Sequence, residues 1–195
     1  MNQAFVLGNG RSRLGLNLAS LNSAGKTFGC NAIYRDYTPD VLVATDPGIT
    51  EEIEDSGYPE SNIFYTRKPR HENSKLIEKN FGYSSGPVAI TLAALEGFEK
   101  IYLIGFDLVG INEKHNNVYS GTPNYKEKNS AATYYGNWVD QIFNISREFD
   151  EIKFIKVGYN TQYKPSKWNR HNIFFQTIDE FVSEVNTVSW QKQNE

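Results

Sequence analysis

The sequence predicts an α/β fold, with a mostly parallel sheet of about six strands layered between helices. Three observations predict it. Short apolar runs alternate with helix-like stretches along the 195 residues, the signature of repeated βαβ units. The most apolar runs, DVLVATD (40–46) and KIYLIGFD (100–107), lack the polar alternation of a half-exposed strand and read as parallel strands buried on both faces. Glycines and polar residues recur directly after the strands, where an open parallel sheet holds its ligands.

AFVLG (4–8) is the first strand, followed by a helix-like stretch from Leu14 to Leu21. KTFGCN (26–31) is the second strand and DVLVATD the third. Pro47 opens the helix ITEEIEDS: its fixed φ suits a first turn, acidic residues in the early turns complement the helix dipole, and Gly57 is the stop. NIFYT (62–66) is the fourth strand. Ser84-Ser85-Gly86-Pro87 leads into VAITLAALEGF, a small apolar helix with a serine cap and proline in its first turn. KIYLIGFD is the fifth strand, and 108–130 is a long polar loop rich in Asn and Tyr. Residues 131–149 form an amphipathic helix, with Tyr135, Trp138, Ile142 and Ile145 on its apolar face. IKFIKV (152–157) is the sixth strand, 158–172 a second loop, and TIDEFVSEV (177–185) the last helix before a polar tail. With no repeat and no long linker, 1–195 reads as one domain.

A net charge of −3 supplies no basic field for nucleic acid or a membrane surface. Cys30 is the only cysteine, so there is no internal disulfide framework, which fits a reducing compartment. The N-terminus MNQAFVLGNG lacks the charged and apolar regions of a signal peptide, and no window approaches the ~20 apolar residues of a spanning helix. The expectation is a cytoplasmic protein with no transmembrane segment and no nucleic-acid partner. Aromatic residues make up 14% of the chain, supplying flat faces and hydroxyls to a ligand as well as bulk to a core.

The candidate site residues gather at the strand ends. Gly8, Asn9, Gly10 and Ser12 follow the first strand, and Cys30 and Asn31 the second; Asp46 ends the third. Ser84, Ser85 and Gly86 start a helix, and Gly105, Phe106 and Asp107 close the fifth strand. Glycines let a backbone approach a phosphate, and N–H groups at a helix start face an anion. An Asn amide offers both a donor and an acceptor to a ribose or a base edge, and Asp107 can accept from ribose hydroxyls. Each residue also has a plainer reading. Gly-x-Gly is a common tight turn, Asn31 and Asp107 can cap turns, and Ser84 and Ser85 can cap a helix. The dinucleotide pattern G-x-G-x-x-G fails at Arg13, and no G-x-x-x-x-G-K-[ST] occurs. What favours a nucleotide is the convergence of all of them on one edge of the sheet. There is no D-x-D, H-E-x-x-H or C-x-x-C, and His71, His115 and His171 lie apart, so neither a metal nor a resident cofactor is expected.

The pattern V-L-G-N-G-R-S, then G-C-N-A-I-Y, then S-S-G-P-V-A-I-T-L-A-A-L-E-G-F-E-K-I-Y-L-I-G-F-D resembles the bacterial lipooligosaccharide sialyltransferases. That family carries G-N-G-P-S, C-N-x-x-Y and T-S-G … A-x-A-L-G-Y-K-E-I-Y-L-x-G-I-D-F in the same order. The similarity covers about the first 107 residues, and pterin pyrophosphokinase-like proteins share part of it. The resemblance implies a Rossmann-like fold that cradles a CMP-sugar without metal. It implies that Asn9 and Asn31 contact ribose or phosphate, that Ser84, Ser85 and Gly86 hold sugar or phosphate, and that Gly105, Phe106 and Asp107 line the nucleoside. The chain departs from the family at Arg11, where the family has proline, and at Leu108-Val109, where it has a tyrosine pair; Tyr119 and Tyr125 come later in the loop. The composition is also similar to that of proteins of large tailed phages.

A metal-independent transfer needs cations, N–H groups or tyrosines at the departing phosphate and a base at the acceptor hydroxyl. Arg11, directly after the glycine turn, is the candidate for the first role, and a solvent-exposed arginine is the other reading. His115 and His171 are the candidates for the base; His115 is preferred because its loop leaves the strand bearing Asp107. Three functions follow: a glycosyltransferase using a nucleotide-sugar as substrate, a Mg²⁺-dependent diphosphotransferase, and a non-catalytic nucleotide-binding module. In each the partner is a nucleotide or nucleotide-sugar; no motif identifies an acceptor.

Overall fold

The computed structural model describes residues 2–78 and 82–185. Its strands are β1 (Gln3–Leu7), β2 (Lys26–Cys30), β3 (Val41–Ala44), β4 (Phe64–Thr66), β5 (Lys75–Leu76), β6 (Lys100–Ile104), β7 (Lys153–Gly158) and β8 (Ile173–Thr177). The helices are α1 (Pro47–Asp55), α2 (Ser85–Leu95), α3 (Gly136–Glu148) and α4 (Ile178–Glu184). The strands form one sheet in the order β5-β4-β3-β2-β1-β6-β7-β8, and every pair in it is parallel. The winding direction therefore reverses between β1 and β6, which sit side by side at the centre. This is the Rossmann-like α/β architecture the strand–helix alternation predicts.

The period of two in each strand sorts the core into two layers. On one face Ala4, Val6, Ile101 and Leu103 pack with α2 and α3; on the other Phe5, Leu7, Tyr102 and Ile104 pack with α1 and α4. All five β1 residues are buried, as a central strand covered on both sides requires. Helix α2 is apolar almost all round and rich in small residues. Val88, Ala89, Ile90 and Ala93 let it lie close under β1, β2, β3 and β6, so its N-terminus comes to the switch between β1 and β6. At the other face, Thr177 and Glu180 form a reciprocal capping box that starts α4.

The sheet has eight strands, not about six. The two extra ones, β5 and β8, are its edges. β5 is two exposed residues, and in β8 only Ile173 is fully buried, so neither writes an apolar run into the sequence. The helix-like stretch Leu14–Leu21 is no α-helix: a 3₁₀ turn, Arg11–Arg13, precedes it and another, Leu18–Ser23, takes only its end, because Gly15 takes a left-handed φ of +90° and breaks the pattern. The helix expected from 131 begins at Gly136; residues 131–135 serve another purpose, described below. The polar tail lies outside the described residues. Among the described residues no helix is long and apolar enough to cross a membrane.

Candidate functional site

The switch between β1 and β6 continues beyond the strands as two backbones in close contact. Gly8 N donates to Ile104 O at 2.8 Å and Gly10 N to Gly105 O at 2.8 Å. A Cβ at either Gly8 or Gly10 would lie 2.6 Å from the Gly105 carbonyl oxygen, and Gly105 itself has φ +72°. These glycines are there because the two strand ends leave no room for a side chain. Asp107 then joins the two turns. Its carboxylate accepts from Ser12 N at 3.0 Å, from Ser12 Oγ and from Asn116 Nδ2 at 2.9 Å. Asn116 Oδ1 accepts in turn from Arg11 N at 3.1 Å. Leu108 follows at φ +68°, a strained conformation for a branched side chain, in a stretch that redirects the chain over the sheet edge.

A second wall comes from β2. Asn9 is buried; its Nδ2 donates to Cys30 O at 3.1 Å, and its Oδ1 is buried without a hydrogen-bond partner. Asn31 adopts φ +54°, a left-handed position that Asn tolerates, and its Oδ1 is likewise buried and unpartnered. Burial pushes the Cys30 thiol up to about 12; the opposing pull of Arg13 is smaller, so this sulfur is a space-filling group and no nucleophile.

The third wall is the start of α2. Ser85 Oγ accepts from Thr45 N at 3.0 Å and shares a hydrogen with Thr45 Oγ1 at 2.9 Å, tying α2 to the end of β3. Ser84 N donates to Gln141 Oε1 at 2.9 Å and Ser84 Oγ accepts from Trp138 Nε1 at 3.2 Å, tying α2 to α3. Neither serine side chain caps α2, so the first-turn N–H groups of Ser85 and Gly86 keep their capacity for an anion. Gly86 packs against Phe106, whose ring would lie 3.0 Å from a Cβ placed there.

The fourth wall is the connection 105–135. It is ordered by non-local hydrogen bonds: Val118 N to Asn9 O at 2.8 Å, His115 N to Ser130 O at 2.9 Å, and Ala132 N to Glu113 O at 2.9 Å. His115 Nε2 is buried without a partner; burial, helped by Lys126, lowers its pKa and keeps the imidazole neutral at neutral pH.

These walls enclose a cleft of about 190 Å³, more than ten times the space one water needs. Gly8, Asn9, Gly10, Asn31, Asp46, Ser84, Ser85, Gly86, Gly105, Phe106, Asp107 and His115 all line it, joined by Leu108, Asn116, Asn117, Thr133 and Trp138. Ser12 stands just behind, bonded to Asp107. Arg11 is exposed and lies outside the lining, and His171 is 69% exposed beside Asp150, away from it. Among the described residues the lining contains no Lys or Arg, while Asp46 and Asp107 contribute carboxylates. No group of three or more His, Cys, Asp and Glu side chains comes together among the described residues.

Tyr119 and Tyr125 also stand outside the lining of the cleft, in a polar clamp. Arg13 is buried; its guanidinium donates to Tyr119 Oη at 2.8 Å, and Tyr119 donates to Asp36. Tyr125 Oη accepts from Ala32 N at 3.2 Å. Arg35 makes a bidentate pair with Glu52 and also donates to Thr122 Oγ1 at 2.7 Å.

Sequence reasoning missed Trp138, because its helical spacing assigns it to a core face, and missed Asn116 and Asn117, because an Asn-rich loop gives no register. Comparison with known proteins finds no matching family, no similar curated protein and no similar solved structure.

Proposed function

We propose that the cleft binds a nucleotide-activated sugar, a CMP-sugar, and that the protein transfers the sugar to an acceptor hydroxyl without a metal. The reading rests on one observation: three polar atoms, Asn9 Oδ1, Asn31 Oδ1 and His115 Nε2, are buried without partners on residues lining one cleft, together with the uncapped start of α2. Seven other buried polar atoms among the described residues also lack a partner, so what supports a ligand is not an open bond alone but the gathering of three of them, each a cost of about 1–3 kcal/mol, on the lining of one cleft.

The charge of the lining supports a mononucleotide. A nucleoside diphosphate or triphosphate would bring several negative charges to a cleft whose described lining has two carboxylates and no Lys or Arg. At the phosphate itself a CMP-sugar brings one negative charge, which two helix-start amides can carry, against two for the diphosphate of a nucleoside-diphosphate sugar; the carboxylate of a sialic acid adds a second charge on the sugar. In this reading the Ser85 and Gly86 amides hold the phosphate, Asn9 and Asn31 accept from ribose hydroxyls or the cytosine amino group, and Phe106 and Trp138 offer ring faces. Asp107 is already bonded to Ser12 and Asn116 and acts as the brace of the site.

The transfer balances with His115 as base. The acceptor oxygen bonds to the anomeric carbon as the bond from that carbon to the phosphate oxygen breaks. The electron pair leaves with CMP, and the acceptor proton passes to His115 Nε2. The exposed position of Arg11, outside the lining, favours a second reading, a module that binds the nucleotide without turning it over.

A thermal-shift panel of CMP, CDP, UMP, UDP, GDP, ATP and CMP-sialic acid, each with Mg²⁺ and with EDTA, tests the reading. A ligand at a hundredfold its Kd adds roughly 2.7 kcal/mol. Stabilisation by CMP and CMP-sialic acid that EDTA leaves intact supports it. Stabilisation by ATP only with Mg²⁺ points to the diphosphotransferase, and silence from every nucleotide removes the reading.

A further inference from the structure

The wall of the cleft that carries His115 runs on, without a break, into a group of three tyrosines, of which Tyr134 is exposed and Tyr135 and Tyr163 are partly buried against the core. Residues 113–115 and 130–132 are zipped together by the bonds from His115 N to Ser130 O and from Ala132 N to Glu113 O, with an antiparallel bridge between Lys114 and Ala131. Ala132 and Thr133 line the cleft, and the next residue, Tyr134, is 73% exposed, more than any other large apolar side chain described. The ring is not loose. Tyr134 stacks on Tyr135 with centroids 6.1 Å apart and planes at 28°, and Tyr135 meets Tyr163 edge-on at 5.3 Å. A side chain at Gly136 would run into the Tyr134 ring, so the glycine that starts α3 leaves room for it.

Three tyrosines packed in series, the exposed Tyr134 stacked on Tyr135 and Tyr135 edge-on to Tyr163, form an ordered surface with apolar faces and hydroxyl edges. That combination suits a ligand with the same two characters, the C–H face and the hydroxyls of a sugar ring. Tyrosine gives such contact at low conformational cost, since only two side-chain torsions need to be held, and here the neighbouring rings already hold them. We propose that Tyr134, Tyr135 and Tyr163 form the acceptor subsite and bind a saccharide; this rests on the reading of the cleft as a nucleotide-sugar site. The ribbon 113–115/130–132 then carries the base and the acceptor shelf as one piece, with the saccharide hydroxyl delivered along Thr133 toward His115.

The test uses the full chain and saturation-transfer NMR with maltose, cellobiose, lactose and chitobiose, alongside the thermal shift by CMP. The expected result is that at least one disaccharide receives saturation. Tyr134→Ala weakens that disaccharide by about fivefold, Tyr134→Phe keeps it, and the CMP shift is the same in all three proteins. Tyr163→Ala, read the same way, gives a second measurement from the other end of the shelf. If CMP binds and no disaccharide does, or if both alanine variants bind the disaccharide as well as the parent chain, the shelf is no saccharide site and the inference falls alone. If a disaccharide binds and no nucleotide does, the acceptor role falls together with the reading of the cleft.

Discussion

The connection between β6 and α3 meets the rest of the protein in two polar clusters, and their hydrogen bonding differs in kind. At the clamp nearly everything is paired. Glu52 accepts from Arg35, from Tyr34 at 2.7 Å and from Asn124 at 2.7 Å, while Arg35 also reaches Thr122 and the Pro123 carbonyl. At the cleft, Asn9, Asn31 and His115 each keep one buried polar atom unpartnered. Both clusters draw on the same connection, through His115 at the cleft and Tyr119 to Tyr125 at the clamp, while the other two open acceptors, Asn9 and Asn31, follow β1 and β2. Open bonds also occur away from both clusters, at Tyr58 Oη and Gln176 Oε1 for example, so the contrast lies in the clustering: three open acceptors share the lining of one cleft, whereas the clamp closes nearly all of its own. Arg13 sits between the two: its guanidinium binds Tyr119, yet its Nε has no partner.

The sharpest way to break this comparison is to remove the base. His115→Ala is expected to lower turnover of an identified CMP-sugar by about 10²–10⁴-fold and to leave the melting temperature unchanged. Because burial lowers the His115 pKa, the acid limb of the rate profile should lie below the ordinary histidine value of about 6.5. Equal losses of rate and stability in His115→Ala would place this residue with the clamp.

Arg35→Ala is the reciprocal experiment. It leaves the Glu52 carboxylate with only Tyr34 and Asn124 and is expected to cost about 2 kcal/mol in urea unfolding, with CMP affinity unchanged. A variant of undiminished stability would show that the clamp is held by packing instead.

Asn31→Gly should do the opposite. Glycine accepts φ +54° without strain, so stability should hold or rise by a few tenths of a kcal/mol, while CMP affinity measured by calorimetry falls about tenfold with the lost acceptor. The smallest effect is expected at Cys30. With its thiol pushed up to about 12, iodoacetamide at pH 8 should leave the folded protein unmodified, with or without CMP. Rapid alkylation would mean that the β2 wall opens.

What the sequence made legible follows from where each element's contacts lie. β1, β3 and β6 are buried on both faces, and that burial is written in their own residues as unbroken apolar runs. β5 and β8 are edge strands whose pairing partners define them, and their residues carry little of that information. Asn9, Asn31 and Asp107 could be singled out because glycine or polar chemistry directly after a strand has a fixed place in a parallel sheet. The same logic chose Arg11 and passed over Arg13. Both flank one short 3₁₀ turn, and only the non-local contacts to Tyr119 and Asp36 turn Arg13 inward while Arg11 stays in solvent. Trp138 reads as core by spacing, and only the bond to Ser84 shows that it stands at the cleft.

The most direct test of the central claim is a titration of the ¹⁵N-labelled protein with CMP, followed by amide chemical shifts. Shifts are expected at Gly8 to Gly10, Asn31, Ser85, Gly86 and Gly105 to Leu108, with Arg35, Glu52, Thr122 and Asn124 unmoved. Shifts confined to the clamp, or none at either cluster, would contradict it.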